Sequence, residues 1–477
     1  MFLALLLSAC GETALPTPTA ELPTPQSSVI STPPEQLTEP TPAPTEQASK
    51  DTYTQYHFDV VFDYIKMSLQ VSQQINYLNK SAKALNEVLL MIPPKAFPAV
   101  YNQIELEGEQ IASFSEDGIR TTINLRQALM PGENLQIKIS YTLNLPQREG
   151  TFGFTQRQTN LSNWYPFIPP LDNDNDWISH DPFVDANNMV VGEYIVNEIA
   201  DFSVTLELIG NVSNLKIASG AVPIPLEVGT RYELKNARAI AFSISDQFFL
   251  EELQHNGVLI QAYVFSNQKQ NAKAMTEIAA QSLDLFSELF GTYQRDHIAL
   301  VSADFLHNME MDGMVLLSHK IIDFYDDTPL NNLTILIPHE LSHQWFYSLV
   351  GNNQALEPWL DEAIATYSES LYYERYHPEY LQWWWDNRIY AHEHSGYVNN
   401  SIYQSGSYAS YRGSVYLNGA IYLQQLSDLL GKETFLNDIK AYVQENQFKI
   451  TSSDEFFNSF PSVDAEALQA LNKRFFR

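Results

Sequence analysis

Residues 337–353 read IPHELSHQWFYSLVGNN and set two histidines four positions apart, with a glutamate directly behind the first. On an α-helix residues i and i+4 lie on one face, so His339 and His343 can aim ring nitrogens at one ion. A catalytic zinc takes three protein ligands and keeps one position open to water. Glu340, offset from the histidine pair, stands where a general base would act on that water. Leu341, Trp345, Phe346, Leu349 and Val350 form an apolar stripe at helical spacing, and Gly351 with Asn352 and Asn353 makes a C-terminal stop. Pro338 requires that the helix either begins there, with proline in its first turn, or starts near Asn331 and is kinked.

A third ligand has to come from a second element that folds back on the first. Residues 356–374, LEPWLDEAIATYSESLYYE, have a helical pattern in which Glu362 follows His343 after eighteen intervening residues. H-E-x-x-H, eighteen residues and then W-L-x-E-x-x-A-x-Y resembles the M1 family of zinc metallopeptidases, the gluzincin aminopeptidases. The resemblance implies that His339, His343 and Glu362 bind one Zn2+ per chain and that Glu340 is the general base. Family members carry G-x-M-E-N upstream, with a glutamate that binds the free α-amine of the substrate. Here FLHNMEMDGMVLLS (305–318) offers Glu310, 29 positions before His339, with His307 and Met311 standing where glycine and asparagine are usual. The family's oxyanion-stabilising tyrosine, in Y-x-x-G-A, falls on Tyr416 of YLNGAIYLQQL, and Tyr403, Tyr408 and Tyr411 are rivals in the same tyrosine-rich segment. Glu369, two turns beyond Glu362 on the same face, is a candidate acceptor for a ligand histidine.

The chain opens MFLALLLSAC, which resembles the lipobox of bacterial lipoproteins, although no Lys or Arg precedes the cysteine. The resemblance implies removal of residues 1–9, lipid on Cys10 and a place in the bacterial cell envelope outside the cytoplasm. Cys10 is the only cysteine in the chain, which excludes intrachain disulfides and multi-cysteine metal sites. Residues 11–50 hold nine of the 25 prolines and read as a Pro/Thr-rich tether. The remainder is too large for one core. Alternation in LQIKISYTL (Leu135, Ile137, Ile139, Tyr141, Leu143) and DFSVTLELIG (Phe202, Val204, Leu206, Leu208) predicts half-buried antiparallel strands. NWYPFIPPLD from Asn163 is similar to the W-Y-P segment of the family's amino-terminal β domain. Helical periodicity takes over in NAKAMTEIAAQSLDLFSELFG, with Gly291 as its stop. The expected architecture is α+β and multidomain: an antiparallel β domain over 51–266, then a thermolysin-like, mainly helical zinc peptidase domain over 267–477, closed by helices such as DAEALQALNKRFF.

The net charge of −30 argues against nucleic acid and against electrostatic binding to an anionic bilayer, so membrane attachment would come from the lipid alone. Trp383 to Trp385 read as core and cleft wall, and His392 and His394 lack helical metal spacing. The expected function is zinc-dependent hydrolysis of N-terminal peptide bonds of peptides. An endopeptidase of the same fold and a non-catalytic anchored binding protein are the alternatives. Oligomeric state is not legible.

Overall fold

The computed structural model describes residues 53–477 except 98–99, 186–187 and 211–212. Cys10 and the Pro/Thr-rich stretch therefore lie outside the described residues. The first half is built on a seven-stranded sheet whose spatial order is Pro223–Pro225, Thr230–Ala237, Ala200–Ile209, Thr54–Asp63, Ser68–Leu78, Asn134–Asn144, Tyr101–Glu107. Alternation decides which face each strand buries. Leu135, Ile137, Ile139, Tyr141 and Leu143 all point inward, as do Phe202, Val204 and Leu206, while Leu208 at the strand's end is half-buried. The expected antiparallel pairing holds between Ala200–Ile209 and Thr230–Ala237, but Ala200–Ile209 runs parallel to Thr54–Asp63. A period of two reports burial and not strand direction, so the parallel pair could not be read from the pattern. Three- and four-stranded sheets share one hydrophobic core with the seven-stranded sheet. The W-Y-P segment lies between them: Trp164 donates Nε1–H to the Ile240 carbonyl at 3.3 Å, and the Tyr165 hydroxyl accepts from the Ile240 amide at 3.3 Å.

A five-stranded sheet then carries the chain into the helical half, in the order Phe248–His255, Val258–Phe265, His297–Ala303, Met314–Ser318, Met309–Met311. Its three inner strands are parallel, and such a pair needs a crossover. Helix α1 (Ala272–Phe290) supplies the first, ending at Gly291 with φ +115°. The sheet takes strands from both sides of the expected division near residue 266, so the helical half shares its sheet with residues 248–265. Its edge strand, Met309–Met311, folds back through Asp312 and Gly313. Gly313 has φ +66°, and a Cβ there would stand 2.8 Å from the Gly220 carbonyl oxygen.

Helix α2 (Asn332–Ser342) begins at Asn331, whose side chain accepts from the amides of Leu333 (2.9 Å) and Thr334 (3.1 Å). Pro338 is thus inside the helix, as in the kinked alternative. The helix does not run on to Gly351. It stops at Ser342, and residues 343–350 form wide turns in which Ser348 N–H donates to His343 O and Val350 N–H to Trp345 O, both at 2.9 Å. Tyr347 stands at φ +118°. That strained residue is held by Arg238, which donates to the carbonyls of Tyr347, Asn197 and Lys449. The apolar stripe belongs to the core all the same: Trp345 packs edge-on against Phe286 and Phe290 of α1. Helices α3 (Trp359–Tyr376), α4 (Asn418–Leu430), α5 (Lys432–Glu445) and α6 (Ala465–Phe475) complete this half. Trp359 is fully buried against Phe456, Phe457 and Phe476.

Gly351 lies under the locked Arg238 guanidinium, where an added Cβ would come within 2.4 Å of Cζ. Arg238 cannot swing away without abandoning three carbonyls, so Gly351→Ala should cost about 1–3 kcal/mol. Chemical denaturation checks this; an unchanged midpoint would mean that the guanidinium yields freely.

Candidate metal centre and active site

Two helices build the centre. From α2 come His339 and Glu340, with His343 at its C-cap; from α3 come Glu362 and Glu369. Each histidine is oriented through its Nδ1. His339 Nδ1 meets Glu369 Oε1 at 2.9 Å, and His343 Nδ1 meets the Phe346 carbonyl at 3.0 Å. A carbonyl only accepts, so His343 carries its proton on Nδ1. The wide turns after α2 thus have a use: they bring the Phe346 carbonyl round to the second imidazole.

Both Nε2 atoms consequently face Glu362 Oε2, His339 at 3.2 Å and His343 at 3.5 Å. Donors of a tetrahedral zinc stand about 3.3 Å apart, given metal–ligand bonds near 2.0–2.1 Å. The three residues are buried, and their ligand atoms all lie within 4.8 Å of one another. Two imidazole lone pairs aimed at one carboxylate oxygen repel it unless a cation, either protons or a metal ion, lies between. The residues present therefore fit a zinc ion. Protons show the same demand. Burial lowers both histidines, but hydrogen bonds with Glu362 and Glu369 outweigh it and lift His339 to about 9, while Glu310 and Glu362 lift His343 well above its ordinary value. Burial likewise raises Glu362, and the two histidines reverse this and hold it below the usual carboxylate range.

Glu369 is fully buried and saturated. Besides His339 it accepts from Trp384 Nε1 at 3.0 Å and from Arg388 Nε and Nη2 at 2.8 and 2.7 Å. Trp384, read from sequence as core, is also a hydrogen-bond donor to this carboxylate. Glu340 differs: it makes no hydrogen bond among the described residues and lines the cleft. Burial pushes it up to about 8 against the pull of His339 and His343. A buried carboxyl poised near neutrality is suited to taking and returning a proton.

The cleft over these groups has a volume of about 840 Å³. Of the four candidate tyrosines, Tyr416 reaches the centre, donating its hydroxyl to Glu362 Oε1 and stacking on His339 with ring centroids 6.0 Å apart. Tyr403 donates to the Asp181 carbonyl, Tyr408 is half exposed beside His307, and Tyr411 packs edge-on to Tyr416 with its hydroxyl unpartnered among the described residues. Glu310, on the edge strand, is buried at the cleft wall and accepts from Gln354 Nε2 at 3.1 Å. The same amide nitrogen lies 3.0 Å from Asp361 Oδ2. Gln344 clamps the hairpin that bears Glu310, donating to the Met311 carbonyl and accepting from the Gly313 amide, both at 2.9 Å. Met311, one of the two departures from the family pattern, is buried in the core; His307, the other, lines the cleft. Among the described residues the His392–His394 pair enters no metal-holding group.

Sequence reasoning missed Glu193, Gln354 and Arg388. Glu193 lines both the cleft and a side chamber of about 210 Å³ walled by Phe97, Phe152, Tyr194, Met309 and Tyr347. Burial, then Glu310 and Glu362, raise its pKa well above the ordinary value. It is 146 positions from His339 with no motif around it, so no spacing signal pointed to it.

Residues 274–475 match the peptidase family M1 domain. The chain is 23% identical to aminopeptidase M1-D of Oryza sativa subsp. japonica over 293 residues, 57% of this chain and 33% of that protein. It is 22% identical to aminopeptidase M1 of Arabidopsis thaliana over the same shares, and 22% identical to endoplasmic reticulum aminopeptidase 1 of Mus musculus over 53% of this chain and 28% of that protein. The chain thus spans about a third of the length of the curated relatives it matches. The H-E-x-x-H helix and the distant glutamate both lie inside the matched region, so residues 274–475 are similar to the peptidase family M1 domain in the part of the chain that builds the centre.

Proposed function

We propose that this chain is a zinc-dependent aminopeptidase that removes residues from the free N-termini of peptides. Zinc held by His339, His343 and Glu362 would act as a Lewis acid on the scissile carbonyl and would acidify a water molecule. Glu340 takes the proton of the attacking water and returns it to the leaving amine, an exchange for which a buried carboxyl raised toward neutrality is fitted. Tyr416 donates its hydroxyl to the carbonyl oxygen as charge develops there, exchanging Glu362 for a better acceptor. Glu310 accepts from the substrate's α-ammonium and so places the first peptide bond over the centre.

The observation that carries the exo-acting reading is the position of Glu310. It is a buried carboxylate at the junction of cleft and side chamber, raised by burial and fixed by Gln354 and the Gln344 clamp. A desolvated carboxylate there welcomes a cation and rejects an uncharged blocked terminus. The endopeptidase alternative has no use for it, and a non-catalytic binding protein has none for Glu340.

The place of action is part of the proposal: lipid on Cys10, in the bacterial cell envelope outside the cytoplasm, with residues 11–50 as tether. Support comes from the LSAC string and the proline-rich composition. No helix of the described residues is long and apolar enough to cross a membrane.

Three outcomes are expected. Glu340→Gln retains about one zinc per chain by elemental analysis while losing nearly all turnover, because the base is not a ligand; comparable turnover in the mutant would remove Glu340 from its role. One peptide digested in free and N-acetylated forms, with products read by mass spectrometry, releases single residues at least about a hundredfold faster from the free form, and Glu310→Ala narrows that gap. Internal cuts at similar rates in both forms would make the protein an endopeptidase. Cys10→Ser in a bacterial host moves the protein from the membrane to the soluble fraction, whereas unaltered sedimentation would sink the lipid anchor.

A further inference from the structure

Three arginines line the cleft, and two are engaged. Arg148 donates to the Phe152 carbonyl at 3.3 Å and lies over the Phe97 ring, on the wall shared with the side chamber. Arg388 is held by both oxygens of Glu369. Arg412 is half-buried in the same wall as Tyr416, one helical turn before it, and its guanidinium makes no hydrogen bond or ion pair among the described residues. In a chain of net charge −30, a partly desolvated arginine left without an acid is unexpected. Glu369, a carboxylate whose charge is felt at Arg412, is already shared by Arg388, His339 and Trp384.

Arg412 and His392 also line a recess of about 240 Å³ that opens off the cleft. This recess shares no lining residue with the side chamber that holds Glu193 and Glu310. Burial, then Arg412, Arg388 and His394, lower the pKa of His392, so positive charge converges here. Glu393 is the one acid among the lining residues, and no ion pair joins it to Arg412. The cleft is therefore acidic where it meets the side chamber and basic where it meets the recess. A peptide whose α-ammonium rests on Glu310 extends its leaving portion away from the acidic end.

We infer that Arg412, with His392 beside it, is a carboxylate-binding site on the leaving-group side of the cleft. The favoured substrates are then peptides that present a carboxylate there, either the α-carboxylate of a di- or tripeptide or an acidic side chain of a longer one. An arginine fork binds a carboxylate through two parallel hydrogen bonds, and its attraction weakens as salt rises. The inference rests on the aminopeptidase reading above, since it takes the direction of the bound peptide from Glu310.

The test compares kcat/KM for substrates sharing one first residue: a dipeptide and a tripeptide as free acids and as C-terminal amides, a longer amide with Asp or Asn at the second and third positions, and the aminoacyl p-nitroanilide. The free acids of the short peptides, or the Asp peptides, should be preferred over their uncharged partners by roughly ten- to a hundredfold, chiefly through KM and less so in high salt. Which pair shows the gap identifies the source of the carboxylate. In Arg412→Gln the ratio should fall to near one, and in Arg412→Lys it should return in part. Cleavage of the anilide with no acid-over-amide gap in any pair would overturn the site and leave the aminopeptidase reading standing. A gap that persists in Arg412→Gln would overturn the assignment to Arg412. Failure to cleave any of these substrates would overturn both. The wild-type comparison decides the matter even if the glutamine variant does not fold.

Discussion

Two imidazole nitrogens aimed at one carboxylate oxygen are tolerable only with a positive charge among them, and the helical half of the protein is arranged around that demand. His339 and His343 cannot turn away, because their other nitrogens are committed to Glu369 and to the Phe346 carbonyl. Glu369 can serve only because Arg388 and Trp384 satisfy the rest of its lone pairs in a site with no access to water. The Phe346 carbonyl can serve only because the chain leaves helical geometry at Ser342 and doubles back. That departure rests on Arg238, a residue of the β half, which holds the strained Tyr347. The geometry of one histidine is in this way set by a contact spanning 109 residues of sequence.

The β half thus does more than sit beside the helices. Asp312, at the tip of the hairpin that carries Glu310, accepts from the amides of Arg238 and Ala239 at 3.0 Å, from Ser348 at 2.5 Å and from Arg295 at 3.0 Å. One buried carboxylate thereby ties together the first half, the edge strand and the turn after α2. All four contacts are made at a buried side chain, and removal of any donor would leave a buried acceptor less satisfied. The wall of the cleft is as rigid as this junction.

Charge is distributed within the cleft as well as between its residues. Glu310 and Glu193 line both the cleft and the side chamber, and burial raises each of them. Arg388 and Arg412 line the same cleft, and Arg412 also lines the recess that opens off it. Low-dielectric walls focus the potential of the groups that line them.

What is local is legible in the residues alone. The i,i+4 pair His339 and His343 needs only one helical turn, and alternation from Leu135 to Leu143 needs only the pleat, so both could be read directly. Glu362 and Glu369 lie seven positions apart on a single helix, which let the second be picked out from the first. Everything that depends on which segments meet comes from the packed fold. The parallel partner of Ala200–Ile209, the sheet that runs across residue 266 and the end of α2 at Ser342 come from packing and from donors far along the chain. The same is true of Glu193, Gln354 and Arg388, whose surroundings are assembled from separate elements. Periodicity records how one segment meets a surface; it carries no information about which distant side chains complete the hydrogen bonds there, and those complete the candidate metal centre and the cleft.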